Sequence, residues 1–184
     1  VLAELVKAGK VRHIGLSNET PWGVSEFVRC AEQLGLPRIV SIQNAYHLMN
    51  RTFESGLAET CRHANVGLLA YSPLAFGWLT GKYLADPNVR GRITLFPGFG
   101  QRYNKQNVPA AAKEYARIAV EAGMTPTTLA LAFVRTRWFT RSVILGATTP
   151  QQLEENIESA NISLSPEVIS EIEIVQKYYP NPAP

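Results

Sequence analysis

The chain has 184 residues, 46% of them hydrophobic, with a net charge of +3 and an isoelectric point near 9.0. That is enough for one domain with a sizeable core, and nothing in the composition signals disorder. The basic residues are scattered and form no cluster interleaved with aromatics, so a nucleic-acid partner is not expected. The longest apolar run, around Val66 to Tyr71, is far short of the ~20 residues that span a bilayer, so no membrane partner is expected either. No signal-peptide pattern opens the chain, and Cys30 and Cys61 show no ligand spacing and read as small buried hydrophobes. These features predict a cytoplasmic location.

Leu2, Leu5 and Val6 mark a first helix stopped by Gly9, and Lys10 to Ser17 reads as a strand. Thr20-Pro21 caps a helix whose apolar face is Val24, Phe27, Val28, Ala31 and Leu34, and Gly35 ends it. Ile39 to Gln43 is the second strand. A third helix carries Phe53, Leu57, Cys61 and Ala64 and leads to the third strand, Val66 to Tyr71.

Tyr71 to Lys82 then places a ring, a hydroxyl, two glycines and a lysine in one loop. An irregular Gly/Pro/Arg-rich region follows to Asn107, long enough to suggest a lid or binding loop; its Arg90 and Arg102 read as surface charges. Helices from Val108 and from Thr125-Pro126 lead to a fourth strand, Ser142 to Gly146. Thr149-Pro150-Gln151-Gln152 has the form of a capping box, opening a helix that turns Leu153, Ile157 and Ala160 inward. Ser165-Pro166 caps a last helix, and the Tyr/Pro-rich end reads as a surface tail. Trp22, Trp78 and Trp138 read as packing residues, with Trp78 near enough to the Tyr71 loop to border a substrate.

Four short apolar strands alternating with amphipathic helices predict an α/β fold with a parallel sheet and crossover helices. Each strand passes into polar residues at its C-terminal end, where such folds bind ligands. No GxGxxG follows a strand, which disfavours a dinucleotide-binding Rossmann unit. A (β/α)8 TIM barrel fits better, although four strands make only half of one.

On that barrel rim Ser17, Asn18 and Gln43 offer the donors and acceptors that hold an amide, and Tyr71 offers a ring to stack on a flat ligand. Lys82 and Arg92 supply cations. The Gly146-Ala147-Thr148-Thr149 turn leads into a capped helix, which favours phosphate. Together these describe a nicotinamide dinucleotide. Taken singly, Tyr71 reads equally as a rim aromatic, Ser17-Asn18 as a plain turn, and Gln152, Glu155 and Asn156 as a solvated helix face. His13, inside the first strand, reads as a structural or rim histidine, and His47 and His63 carry no metal pattern.

The segments Gly9 to Asn18, Gln43 to Tyr46, Tyr71 to Leu74, Gly81-Lys82 and Gly146 to Asn156 resemble the C-terminal half of an NADP-dependent aldo-keto reductase. The resemblance covers essentially the whole chain as one domain, 1–184, without the N-terminal half. Asn44 to Glu54, Leu79 to Tyr83 and the Pro182-Ala183-Pro184 end are most similar to the Tas-like bacterial branch.

The resemblance implies an enzyme that reduces a small-molecule carbonyl, an aldehyde or ketone, with NADP(H). It implies that Ser17, Asn18 and Gln43 hold the carboxamide and that Tyr71 stacks on the ring. Ser72, Leu74, Gly77, Lys82 and Arg92 would line the pyrophosphate and ribose, and Gly146, Thr148, Gln152, Glu155 and Asn156 the adenosine end. The family's acid/base Asp, Tyr, Lys and His lie on the first four strands, so this chain is expected to hold no catalytic residue and to be inactive alone. The alternatives are a nucleotide-sensing module similar to potassium-channel β subunits, and a half-barrel scaffold that self-associates through its open strand edges.

Overall fold

A computed structural model describes residues 1–86, 88–96 and 98–184. Positions 87 and 97 of the Gly/Pro/Arg-rich region lie outside these. The strands are β1 (Ile14–Ser17), β2 (Ile39–Ala45), β3 (Gly67–Tyr71) and β4 (Thr140–Val143). They form one parallel sheet in the order β1-β2-β3-β4. The helices are α1 (Leu2–Lys7), α2 (Pro21–Leu34), α3 (Leu57–Ala64), α4 (Lys82–Ala85), α5 (Arg92–Leu95), α6 (Val108–Glu121), α7 (Pro126–Thr136), α8 (Pro150–Glu158) and α9 (Pro166–Tyr178). Among the described residues none is long and apolar enough to cross a membrane.

Register explains the two faces of the sheet. Leu16, Ile42 and Leu68 are partners across β1 to β3, and Ile42 and Leu68 are fully buried in the helix-side core. The alternate row, Ser17, Gln43, Leu69 and Ser142, is also in register, and three of its four members are exposed polar residues. A period of two therefore puts the apolar set against the helices and the polar set on the open face.

The caps read from Thr-Pro and Ser-Pro pairs are present. Thr20, Thr125, Thr149 and Ser165 each accept a bond from the backbone N–H three residues on, satisfying a donor that has no partner within the helix. Five of the expected elements and faces need correction, in addition to the C-terminal tail. The first strand begins at Ile14, so His13 lies outside it and is exposed. The third helix is split: a short turn, Thr52–Glu54, precedes α3, and Gly56 with φ 81° separates them. β4 covers Thr140–Val143 rather than Ser142–Gly146, because Leu68 and Leu69 pair with Thr140 and Ser142. The region after Lys82 is not irregular throughout, since α4 and α5 and a turn at Gln101–Asn104 lie in it, and Tyr103 is buried.

The fifth concerns helix faces. Leu153 and Ile157 are 46% and 58% exposed and Ala160 is exposed too, whereas Asn156 and Ser159 turn inward. Asn156 is drawn in by its bond to the Gly146 carbonyl (3.2 Å). Trp22 and Trp138 are likewise mostly exposed rather than packed.

The core beside the end of β2 is aromatic and charged at once. Tyr46, Phe53, Phe133 and Phe139 meet at ring separations of 5.1–6.5 Å. Glu54 accepts from the Tyr46 hydroxyl, from Arg51 at 2.9 Å through both carboxylate oxygens, and from Arg137 at 3.2 Å. Both guanidinium groups also sit over the Phe133 ring, at 5.3 and 4.8 Å. The C-terminal residues join this cluster rather than forming a surface tail. Asn181 Oδ1 accepts from the Arg51 N–H (2.6 Å), the Ala183 N–H donates to the Met49 carbonyl (3.0 Å), and Ala183 is fully buried.

Burial alone would raise the Glu54 pKa, but the bonds from Arg51 and Tyr46 and the charges of Arg51 and Arg137 outweigh it and hold the carboxyl low. A carboxylate depressed in the folded state contributes stability that is complete above its ordinary value of 4.5 and is lost as pH falls from there through the folded value. Glu54→Gln is therefore expected to cost about 2–3 kcal/mol at neutral pH, below the range for a fully buried pair because the carboxylate is partly exposed. The deficit should shrink towards pH 3. Urea unfolding of both proteins at pH 7 and pH 3 checks this.

Candidate functional site

The C-terminal ends of β1, β2 and β3 converge. Asn18, just past β1, has φ 55°, a left-handed conformation that Asn tolerates better than most residues. This turn aims its N–H at the Asn44 side-chain oxygen (2.9 Å) and at the Gln43 carbonyl (3.1 Å). The Asn18 amide donates to Ser17 Oγ (3.2 Å), and its oxygen accepts from the Tyr71 hydroxyl (2.9 Å). Tyr71 is thereby fixed at both ends, its backbone in β3 and its hydroxyl on β1, with its ring spanning the strand tips. Ser17, Asn18 and Gln43 remain exposed beside it.

The loop after Tyr71 is strongly bent: Ser72, Ala75 and Phe76 have φ of 54°, 48° and 56°, and Gly77 has φ 100°. Positive φ at three non-glycine residues in five costs on the order of 1–3 kcal/mol each. Buried Ala75 and Leu79 anchor the turn, and Leu74 accepts from the Gly77 (2.8 Å) and Leu79 (3.2 Å) N–H groups. Gly77 and Gly91 frame the Lys82 ammonium. A β-carbon at either position would come within 3.2 Å and 2.7 Å of Nζ respectively and would displace the lysine end, and at Gly77 the φ of 100° favours glycine in its own right.

Lys82 lies over the Tyr83 ring (4.9 Å) and Arg92 over Phe76 (5.1 Å). Among the described residues neither has a carboxylate partner. Two cations beside a glycine-framed backbone fit a phosphate-bearing ligand. Trp78, read as a packing residue at the edge of this loop, packs against Tyr83 (5.4 Å).

A second group forms where the chain leaves β4. The Ile144 N–H donates to the Ala70 carbonyl (2.8 Å), which carries the pairing with β3 one residue past β4, just before the Gly146 turn. Gln152 Oε1 accepts from the Thr148 N–H (2.9 Å) and hydroxyl (3.0 Å), and Asn156 holds Gly146 from α8. The capping box is therefore displaced: Thr149 caps the Gln152 N–H (3.3 Å), but the Gln152 side chain serves Thr148 instead of Thr149. Glu155 accepts from the Thr125 hydroxyl (2.6 Å), tying α8 to the start of α7. A β-carbon on Gly146 would meet nothing within 4 Å, so this turn is open to a ligand.

Sequence reasoning missed four contributors. Asn44 orients Asn18, a role hidden because it depends on strand pairing. Arg102 and Tyr103, in the region read as loop and surface charge, line a cleft of about 470 Å³ with Tyr71, Ser72, Phe76, Phe99 and Pro184. His47 closes the back of that wall, with Nδ1 accepting from the Met49 N–H (3.2 Å) and Nε2 paired with the Tyr103 hydroxyl (3.3 Å). A larger cleft of about 600 Å³ borders Arg51, Glu54 and Asn181, but its charges already neutralise one another.

The model of the aldo/keto reductase family matches residues 1–177. The chain belongs to the aldo/keto reductase family. It is 50% identical to the protein tas of Escherichia coli over the whole chain and 53% of that relative. An aldo-keto reductase of Babesia bovis is 42% identical over 97% of the chain and 65% of its own length. The NADH-specific methylglyoxal reductase of E. coli is 32% identical over 90% and 48%. The chain thus spans about half the length of the tas relative. The parallel four-strand α/β sheet is consistent with part of a family barrel, and the relatives include oxidoreductases.

Burial, reinforced by the Arg102 charge, pulls the His47 pKa down from 6.5 to about 3. The folded chain then stays unprotonated where the unfolded chain takes up a proton, so stability falls as pH drops below 6.5 towards 3. The His47 ring resonances are expected to be flat between pH 8 and 5 by NMR. His47→Gln is expected to remove most of the pH dependence of the melting temperature between pH 6.5 and 4.5.

Proposed function

We propose that this chain is the C-terminal, cofactor-binding half of a (β/α)8 aldo-keto reductase, with residues 1–184 forming one structural unit. In its intact form the cytoplasmic enzyme reduces a carbonyl to an alcohol with NADP(H). The observation that carries the reading is the Tyr71 ring, held by Asn18 across the strand tips beside the uncompensated cations Lys82 and Arg92. A ring fixed in this way covers one face of a nicotinamide and leaves the other open, while Ser17, Asn18 and Gln43 meet its carboxamide. Ser72, Leu74, Gly77, Lys82 and Arg92 take the pyrophosphate and ribose. Gly146, Thr148, Gln152, Glu155 and Asn156 take the adenosine end.

The bound nucleotide supplies the hydride that reduces the carbonyl carbon, and the carbonyl oxygen needs a proton from an acid. The acid/base groups of this chain are ill suited to that step. The Tyr71 hydroxyl is engaged by Asn18, His47 is buried and unprotonated, and Lys82 sits in the glycine frame. The proton donor is therefore assigned to the partner half of the barrel, and this chain to binding and orientation. The choice of NADP(H) over NAD(H) rests on the resemblance, and because one relative carries an NADH-specific name both are compared below.

Trp78, packed on Tyr83 beside Lys82, is a built-in reporter. Titration with NADPH is expected to quench its fluorescence, and NADH to do so more weakly. Tyr71→Phe, which keeps the ring and loses the Asn18 bond, should weaken binding by about 3–10-fold, the worth of one ordinary hydrogen bond. Tyr71→Ala should weaken it further, by removing the stacking surface as well. No quenching by either nucleotide would sink the reading, and equal effects of Phe and Ala would remove Tyr71 from beneath the ring.

A further inference from the structure

The cleft beside Tyr71 shares Tyr71 and Ser72 with the proposed cofactor site, and the rest of its lining has an uneven chemistry of its own. Its walls are the rings of Tyr71, Phe76, Phe99 and Tyr103, and no Asp or Glu side chain lines it. Phe76 stacks on Phe99 (5.2 Å) and meets Tyr103 (4.8 Å), so the apolar wall is a packed unit. Among the described residues Arg102 brings the one charged side chain to the cleft lining, which also includes Pro184. Among the described residues its guanidinium makes no ion pair, no hydrogen bond and no contact over a ring, whereas Arg51, Arg117 and Arg137 are each bound to glutamates.

The polar groups behind the wall do not offset that charge. His47 is neutral, and burial raises the Tyr103 hydroxyl to about 12, with Arg102 opposing the shift. Arg102 is exposed at the edge of this aromatic space and has no ion-pair partner among the described residues, and an anion seated against the rings would be less screened from it than in open water. A guanidinium fork suits a carboxylate or phosphate, and about 470 Å³ is a normal size for a small-molecule site.

We propose that Arg102 selects carbonyl substrates that carry an anionic group, a carboxylate or phosphate, on a planar or apolar body lying against Phe76, Phe99 and Tyr103. This rests on the cofactor reading given above, because the phosphates of the nucleotide are assigned to Lys82 and Arg92 and leave Arg102 for the substrate. The two sources of anion, substrate and cofactor, make different predictions.

The probes are 4-carboxybenzaldehyde and its methyl ester, which share a ring and a carbonyl and differ by one charge. Their affinities are measured by ligand-observed NMR on the protein expressed from its full natural reading frame, with NADP+ titrated separately by Trp fluorescence. The carboxylate is expected to bind about tenfold more tightly than the ester, a modest charge-assisted preference. Arg102→Gln should abolish that preference and Arg102→Lys should keep part of it, with NADP+ affinity unchanged. Among the described residues the Arg102 side chain makes no hydrogen bond or ion pair, so both variants should melt close to the parent.

Equal binding of acid and ester by the parent, or a preference that survives Arg102→Gln, overturns the proposal. So does a loss of NADP+ affinity in Arg102→Gln matching the loss of carboxylate affinity, which would assign the arginine to the cofactor. A carboxylate preference without nucleotide binding would sink the cofactor reading alone. Nucleotide binding without the preference would sink this inference alone.

Discussion

The Glu54 carboxylate is the point on which the geometry beyond the sheet depends. It accepts from Tyr46 and Arg51, its neighbours in the segment after β2, and from Arg137, 83 residues on. Burying two guanidinium groups and a carboxylate together is expensive, and attraction in a partly dry site repays the cost only when the geometry is good. Here it is: Arg51 is bidentate on Glu54 and also reaches Glu173 (3.0 Å), and both arginines lie over Phe133. The cluster fixes residues 46–54 in the interval between β2 and α3. Through Asn181 and Ala183 that segment holds the C-terminal residues, and through His47 it holds Tyr103. One acidic side chain thus sets two walls of the cleft whose third wall is Tyr71.

Strain and tethering meet in the Tyr71 loop. A ring on a flexible loop would lose conformational freedom each time it stacked on a ligand. The bond to Asn18, and the bond from Asn18 to Asn44, remove that freedom before a ligand arrives. The positive φ values at Ser72, Ala75 and Phe76 are maintained because Ala75 and Leu79 are buried and cannot relax outward. The loop accordingly behaves as an extension of the sheet, and it presents Lys82 between Gly77 and Gly91 as a fixed charge.

Features set by near neighbours were legible in the residues. The Thr-Pro and Ser-Pro starts of α2, α7, α8 and α9, the glycine stops, and the apolar cores of β1 to β3 all follow from local chemistry, and the first three strands appear within a few residues of their expected positions. The polar residues after β1, β2 and β3 do come together. Features set by partners distant in the chain were not legible. β4 starts at Thr140 because β3 recruits that segment, although Val143-Ile144-Leu145 is the more strand-like run. Proline-rich composition suggested a surface tail, whereas a single backbone bond to Met49 and the Asn181 side chain bury it. Arg102 is an exposed cation as read, and only the packing of Phe76, Phe99 and Tyr103 places it at the edge of a cleft.

The exposed surfaces share one explanation within the proposed reading. β1 and β4 are the outer strands of a parallel sheet and each leaves one edge unpaired. The face bearing Ser17, Gln43 and Ser142 is open, and Leu153 and Ile157 of α8 are exposed beyond the β4 end. In a closed (β/α)8 barrel both edges pair with neighbouring strands and the polar face becomes the rim and interior. Without such closure the edges favour association with other strands, including those of a second copy. Leu153 and Ile157 have the character of residues that pack beneath a following unit, whereas Asn156, one position away on the same helix, already faces the Gly146 turn. The helix therefore has two occupied roles, one towards the adenosine end of the site and one towards the surface that closure would cover.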